Sequence, residues 1–344
     1  MSGPVGILVN PASGKDVRRL VARASVFDNQ EKLAIVRRAV TGAIAAGATT
    51  FRYMPDSHAI AEAALEDIDG IDAAAVEAPQ TASVLDTVRA ARSLRSAGCA
   101  SVITLGGDGT NRAFCKGWRD AVLMPISTGT NNVFPRLVEA TVAGAAAGLV
   151  ASGRVAVTDV ATRVKAVTVK VNGEPDDLAL IDAVVTRQPF IGARALLDAD
   201  SLEFAVLTRA NPAAVGITSV GGLLRPMTDA EDAAVVLALG TITEGSDWGS
   251  PRASVTGRRV FAPIAPGFYA DVEVARARVV PLGESIVVEG PCTLAFDGER
   301  ERVLQPGQRA TLSVARDGPW VIDVERALGV AACRGLFGGE VNAD

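Results

Sequence analysis

The segment Leu105-Gly106-Gly107-Asp108-Gly109-Thr110-Asn111 sets one carboxylate among three glycines. Glycines at this density let a backbone approach a bulky anion, with free N–H groups and a following helix N-terminus supplying the attraction. A carboxylate inside such a cradle is repelled by phosphate unless it takes a hydroxyl proton or holds a metal ion. Asp108 is therefore the candidate catalytic residue of a phosphoryl transfer. The same residues also suit a tight Gly-Asp-Gly turn in which Thr110 caps a helix beginning near Asn111.

Two further loops shift that balance. Asn10-Pro11-Ala12-Ser13-Gly14-Lys15 is another small-residue turn before a helix. It is not a Walker A loop, because Val9 stands where the first glycine is required and Asp16 where Ser or Thr should follow the lysine. Ser127-Thr128-Gly129-Thr130-Asn131-Asn132 offers hydroxyl and amide groups suited to phosphate, ribose or base edges. Each loop taken singly reads as a polar turn. Three of them, each after a different strand of one sheet, would gather at one edge.

The elements that must position these loops alternate in type up to about residue 152. Val5 to Asn10, Thr50 to Met54, Ile71 to Val76, Ser101 to Leu105 and Val122 to Ile126 read as strands, each closed by turn residues. Between them, Glu31 to Ala46 and Ser83 to Ala97 place apolar residues on one helical face. Such β-α repetition calls for an α/β fold with a mostly parallel sheet and helices on both faces. From about residue 153 strands dominate. Val167, Val169 and Val171 alternate with polar residues, Asn172-Gly173 is a hairpin turn, and Leu178 to Thr186 reads as the return strand. Ser285 to Asp323 reads as several short antiparallel strands, and a helical stretch from Glu325 to Phe337 has a return onto the first domain as one option. The expected domains are 1–152, α/β and nucleotide-binding, and 153–344, β-rich and substrate-binding.

Composition narrows the partners. The chain has 344 residues, 34 Lys and Arg against 39 Asp and Glu, and 4% aromatics, with no basic run. Nucleic-acid and membrane-surface binding are both disfavoured by that balance. Cys99, Cys115, Cys292 and Cys333 form no Cys-x-x-Cys pair and read as free thiols in a reducing compartment. The segment after Met1 reads as a first strand, and the apolar run from Ala140 to Ala151 is too short to span a bilayer, so a cytoplasmic protein without stable membrane association is expected. His58 is the only histidine and reads as a surface residue.

These motifs resemble those of the NAD kinase and diacylglycerol kinase superfamily, whose hallmark is Gly-Gly-Asp-Gly-Thr. Within it the chain is similar to the ATP-NAD kinase-like proteins called acetoin catabolism protein X, which pair an Asn-Pro-x-Ser-Gly loop with a Gly-Thr-Asn-Asn segment. Asp297-Gly298-Glu299 matches the late Asp-Gly signature of these kinases, so the resemblance spans both halves. It implies a two-domain enzyme using ATP and Mg2+ in the cleft between its domains, and it implies a homo-oligomer. Carried onto this chain, Gly106, Gly107, Gly109 and Thr110 would hold nucleotide phosphates, with Asp108 on the acceptor hydroxyl or the magnesium. Asn10, Ser13 and Gly14 would form a second phosphate wall, and Gly129, Thr130, Asn131 and Asn132 would contact nucleotide or acceptor. Asp297 and Glu299 are candidates for metal or proton work, with an exposed hairpin turn as the equal alternative.

One departure bears on the acceptor. NAD kinases carry an Asn-Glu or Asn-Asp pair that resembles a ribose contact, and here the stretch reads Ile181-Asp182. Asp182 keeps the carboxylate as a substrate-binding candidate, whereas an isoleucine cannot hydrogen-bond a hydroxyl. The expected reaction is phosphorylation of a soluble small molecule, with NAD the leading acceptor and NADP the product. The alternatives are a lipid or diacylglycerol-type kinase and a non-catalytic nucleotide-sensing regulator in acetoin catabolism.

Overall fold

The structure, a computed structural model, describes residues 2–13, 28–66, 68–129, 132–186, 202–240 and 255–338, with only the backbone given at 255, 256 and 299–301. The first half runs β1 (Val5–Val9), α1 (Asn29–Ala45), β2 (Thr50–Tyr53), α2 (Ile60–Leu65), β3 (Asp72–Ala75), α3 (Val84–Ser96), β4 (Ser101–Gly106), α4 (Asp108–Gly117), β5 (Val122–Ser127), α5 (Ala140–Ala151), α6 (Val157–Val160) and β6 (Ala161–Arg163). The strands expected from the alternating pattern all form, each within about a residue or two of the expected ends.

Strands β1 to β5 are parallel in the order β3-β2-β1-β4-β5. Both faces are covered, which explains why β1 is buried along its whole length. Val5, Ile7 and Val9 face a core shared with α1, α2 and α5, while Leu8 faces the core under α3 and α4. The alanine- and glycine-rich α5 lies so close to α1 that a Cβ on Gly144 would sit 1.8 Å from the Ala39 carbonyl oxygen. The apolar run from Ala140 to Ala151 is thus a helix-packing surface.

The second half continues with β7 (Ala166–Val171), β8 (Asp177–Ala179), β9 (Asp182–Thr186), β10 (Leu202–Leu207), α7 (Ile217–Leu224), β11 (Ala233–Leu239), β12 (Val255–Ala265), β13 (Phe268–Pro281), β14 (Ile286–Glu289), β15 (Cys292–Phe296), β16 (Glu299–Leu304), β17 (Arg309–Ala315), β18 (Trp320–Ile322) and α8 (Val324–Cys333). Two antiparallel sheets, β12-β13-β11-β10-β9-β15-β16 and β14-β17-β7-β8, enclose a core of alternating residues such as Val167, Val169, Phe204, Leu294 and Leu312. Beyond them the chain returns to the first sheet, where β18 pairs parallel to β5 and antiparallel to β6. Helix α8 packs on α5, burying Ala327 and Ala331 in the first core.

One stretch departs from the sequence reading. Leu178 to Thr186 is two strands in two different sheets, broken at Leu180 and Ile181. The cause is local: the N–H groups of Leu180, Ile181 and Asp182 all point at the Asp297 carboxylate instead of a neighbouring strand.

Candidate active site

In the strand order the chain reverses direction between β1 and β4, and the loops after these strands open at the carboxyl edge of the sheet, where α/β proteins hold ligands. The Asn10 amide nitrogen donates to the Thr110 hydroxyl at 2.9 Å, and the Asn10 N–H donates to the Leu105 carbonyl at 3.0 Å. The Asn10 side-chain oxygen accepts the Ala12 N–H at 2.9 Å, which fixes the turn. Beneath it the ammonium of fully buried Lys32 donates to the carbonyls of Pro11 and Ser13 at 2.8 and 2.6 Å. Lys32 carried a readable signal, since it shares a helical face with Val36, Ala39, Val40 and Ala43. A lysine on an apolar face needs acceptors, and the β1 loop supplies them.

The β5 loop closes the other side. Asn132 donates to the Ser127 hydroxyl at 2.7 Å, and that hydroxyl donates to the Gly129 carbonyl at 2.6 Å. The Asn132 side-chain oxygen lies 2.8 Å from where a Cβ on Gly107 would be, and the Thr110 side chain lies 2.6 Å from one on Gly106. Neither glycine has a positive φ. They are required by crowding, of Gly107 against the β5 loop and of Gly106 against the first turn of α4, and not by backbone curvature.

Helix α4 starts at Asp108, three residues earlier than the turn-and-cap reading places it, with Gly107 as N-cap. Its first-turn N–H groups have no acceptor within the helix. Asn111 is buried, donating to the Gly107 carbonyl at 2.9 Å and accepting the Thr104 hydroxyl at 2.7 Å, which locks the turn onto β4. The half-buried Asp108 carboxylate accepts the N–H groups of Val133 at 3.1 Å and Phe134 at 2.8 Å. Asp108 thus joins the β4 and β5 loops in its own side chain. Burial raises its pKa from 3.8 to about 7, with the Asp297 charge adding to the rise, while the Phe134 and Val133 N–H groups and Arg209 oppose it.

The β-rich half brings two more aspartates. Asp297, in a left-handed turn at φ 50°, accepts the N–H groups of Leu180, Ile181 and Asp182 at 2.8 to 3.1 Å and returns its own N–H to the Asp182 carbonyl at 3.0 Å. Burial raises its pKa, and Leu180, Arg112 and the other N–H groups act against that rise. The Asp182 pKa is raised well above the ordinary value by burial, and then by the charges of Asp297 and Asp108. Three carboxyls therefore share one electrostatic neighbourhood. The side chain of Ile181 is buried in the core under α4.

Two arginines that the sequence reading did not single out bind the halves together. Arg112, four residues along α4 from Asp108, is buried; it donates to the Leu178 carbonyl at 2.6 Å, pairs with Asp177 at 2.9 Å and lies 5.0 Å over the Phe296 ring. Arg209, after β10, lies 5.9 Å over the Phe134 ring and pairs with Asp229 at 2.8 Å. Their only sequence signal was position, one inside the glycine-loop helix and one at a strand end.

Of the expected site residues, Asn10, Ser13, Gly106, Gly107, Asp108, Gly109, Thr110, Gly129 and Asn132 lie on these three adjoining loops. Gly14, Thr130 and Asn131 fall outside the described residues. Glu299 opens β16 opposite Phe296, with its backbone alone described. Ser127 also lines a groove of about 540 Å3 between α1 and the start of α5. The four cysteines are free thiols, and no described helix is long and apolar enough to cross a membrane. Among the described residues no three His, Cys, Asp or Glu side chains form a metal cage. A magnesium ion here would suit the arrangement in which one or two carboxylates and the substrate phosphates share it.

Comparison with known proteins agrees with both halves. Residues 5–155 match the ATP-NAD kinase N-terminal domain family, and residues 165–317 match the acetoin catabolism protein X C-terminal domain family. Acetoin catabolism protein X of Cupriavidus necator is 33% identical over 347 residues, covering 96% of this chain and 90% of the relative. Among solved structures, yeast NADH kinase in complex with NADH superposes with a TM-score of 0.51 at 12% identity, covering 100% of this chain and 90% of that one. A diacylglycerol kinase-like protein of Bacillus anthracis gives a TM-score of 0.46 at 13% identity, covering 93% and 97%.

Proposed function

The chain belongs to the acetoin catabolism protein X family, whose fold is that of the NAD kinases, and from that membership we propose that it transfers a phosphoryl group from ATP to a hydroxyl of a soluble small molecule. The observation that carries the reading is that three strand-end loops adjoin at the Asp108 turn, the β5 loop bonding the Asp108 carboxylate and the β1 loop bonding Thr110 two residues on.

The chemistry asks little of the protein beyond position and charge. Phosphoryl transfer passes through a loose transition state, so preset donors matter more than covalent catalysis. The loop amides at Gly107, Gly109 and Thr110 and the Asn10 and Asn132 loops would hold the nucleotide phosphates. Magnesium, carried with those phosphates, would neutralise the charge on the moving group. Asp108 takes the proton of the acceptor hydroxyl as its oxygen bonds to phosphorus and ADP leaves. A carboxyl with a pKa of about 7 is well suited to that exchange, being ionised in part at neutral pH and a stronger base than an ordinary aspartate.

NAD is the first acceptor to test, and NADP the product expected. A second reading, nucleotide sensing without turnover, is favoured by Ile181, which puts a buried apolar side chain where a ribose contact would need an amide. An ATP-consumption screen over NAD, NADH, small polyols and lipids, run beside titration calorimetry with ATP, separates the two. ADP released only with a given acceptor identifies it; ATP binding without ADP from any acceptor supports the sensor.

A further inference from the structure

Arg209 is a cation with part of its hydrogen-bonding capacity unspent. Its Nε and Nη2 are buried and have no hydrogen-bond acceptor among the described residues, and Oδ1 of its partner Asp229 is likewise without a donor. The 2.8 Å contact between Nη2 and Asp229 Oδ2 is an ion pair without the alignment of a hydrogen bond. Arg276 and Arg302 each leave one buried nitrogen unbonded, whereas the fully buried cations among the described residues differ from Arg209. Lys165 donates to the carbonyls of Thr228, Glu231 and Ala233, and Arg112 donates to Leu178 and Asp177.

Leaving buried charged donors unpaired costs stability, so a small shift of the side chain that brings them onto an anionic ligand recovers it. Position supplies the class of ligand. The Arg209 guanidinium stacks 5.9 Å over Phe134, whose N–H binds Asp108 at 2.8 Å, and its charge acts on the Asp108 carboxyl. Thr208 anchors the base of the side chain, sharing its hydroxyl proton between the carbonyls of Leu180 and Ile181 at 2.8 and 3.0 Å. A planar fork with free N–H groups beside an anion-accepting helix N-terminus suits a phosphate.

We propose that Arg209 is a phosphate clamp, reaching from the β-rich half to a phosphate group held against the glycine loop, with Asp229 keeping the guanidinium in place until the anion arrives. Assigning that phosphate to a nucleotide rests on the kinase reading; the anion site does not.

Inorganic pyrophosphate is the probe, titrated calorimetrically at low ionic strength into the full chain and into Arg209→Gln, Arg209→Lys and Asp229→Asn. The expected result is binding by the wild type, weakened roughly 10- to 100-fold in Arg209→Gln and less in Arg209→Lys, and kept or tightened in Asp229→Asn. If Arg209→Gln fails to fold because Asp229 is left alone, the double variant Arg209→Gln/Asp229→Asn removes both charges and must show the same loss. Equal affinity with and without Arg209, or no pyrophosphate binding by the wild type, overturns the clamp. Affinity that depends on Arg209 in a protein releasing no ADP with any acceptor keeps the clamp and removes the kinase reading. ADP release alongside affinity indifferent to residue 209 does the reverse.

Discussion

Asp108 and Asp297 use one device in two halves of the molecule. Each carboxylate collects backbone N–H groups from a segment far away in the chain, Val133 and Phe134 for the first, Leu180 to Asp182 for the second. Their surroundings separate them. Asp108 is half-buried at the start of a helix, between the β4 and β5 loops, whereas Asp297 is only 8% exposed, and its oxygens are taken up by three N–H groups of a broken strand. A carboxylate that keeps an open side can exchange a proton with a ligand; one enclosed by its donors holds architecture. Under the proposed function the Asp-Gly pairs of the two halves would thus have different jobs.

The largest test of that contrast is Asp108→Asn. The amide keeps the size and most of the N–H contacts but cannot accept a proton at neutral pH. Turnover should fall by about 10²-fold or more, with the urea midpoint unchanged or higher. Full activity would remove Asp108 from the chemistry and erase the distinction. Asp297→Ala should behave in the opposite way: three buried N–H groups lose their acceptor, and stability should drop by roughly 2–4 kcal/mol in equilibrium urea unfolding. A variant as stable as the wild type, but inactive, would move Asp297 into the catalytic group.

Legibility in the sequence divides along the same line. The parallel sheet was readable because its information is local: five apolar runs closed by turns, two helices with one apolar face, and glycine loops in between. The convergence of loops 10, 108 and 130 followed from the parallel order alone. The sequence suggests these glycines for tight turning and close approach to an anion, while Gly106 and Gly107 adopt negative φ and are needed because Thr110 and Asn132 fill the space. Thr110 is a near neighbour of Gly106, but nothing local announces Asn132, which lies in another loop from Gly107. The β-rich half was legible as strands and not as sheets, since pairing partners such as Ala166 and Ala315 lie far apart in the chain. The break at Leu180 depends on Asp297 across 117 positions, so Leu178 to Thr186 read as one strand. Arg209 was invisible for the same reason, its neighbours Phe134 and Asp229 meeting only in the fold.

A smaller effect follows from charge. Asp108 has a pKa raised from 3.8 to about 7 in the fold, so its protonated form is favoured by folding. That stabilisation is complete below about pH 4 and is lost as the pH rises through 7, giving a protein whose stability falls across this window by on the order of 1–2 kcal/mol after allowance for its exposed side. Activity should move the other way, because the base must be ionised, and kcat/KM should climb through about pH 7. Asp108→Asn should flatten the stability profile in that window. Asp297→Asn, which removes the neighbouring charge that helps raise Asp108, should carry the activity limb to lower pH. A limb that stays in place would show that the two aspartates do not feel each other.

The finest comparison is between the glycines beside the two aspartates. Gly107 has φ −99° and ψ −168°, a conformation open to any residue, and is restricted only by the Asn132 oxygen 2.8 Å from its missing Cβ. Gly298 has φ 77°, where an L side chain is strained whatever space surrounds it. Each alanine substitution should cost about 1 kcal/mol, but for different reasons. Crowding is relieved by removing the neighbour, so Asn132→Ala should recover part of the Gly107→Ala loss, with a coupling of roughly 0.5–1 kcal/mol in a double-mutant cycle. Backbone strain has no such partner, and Asn132→Ala should add independently to Gly298→Ala. A Gly107→Ala cycle without coupling would mean that the β4 and β5 loops do not press on each other, and the enclosure of Asp108 by these loops would then need another cause.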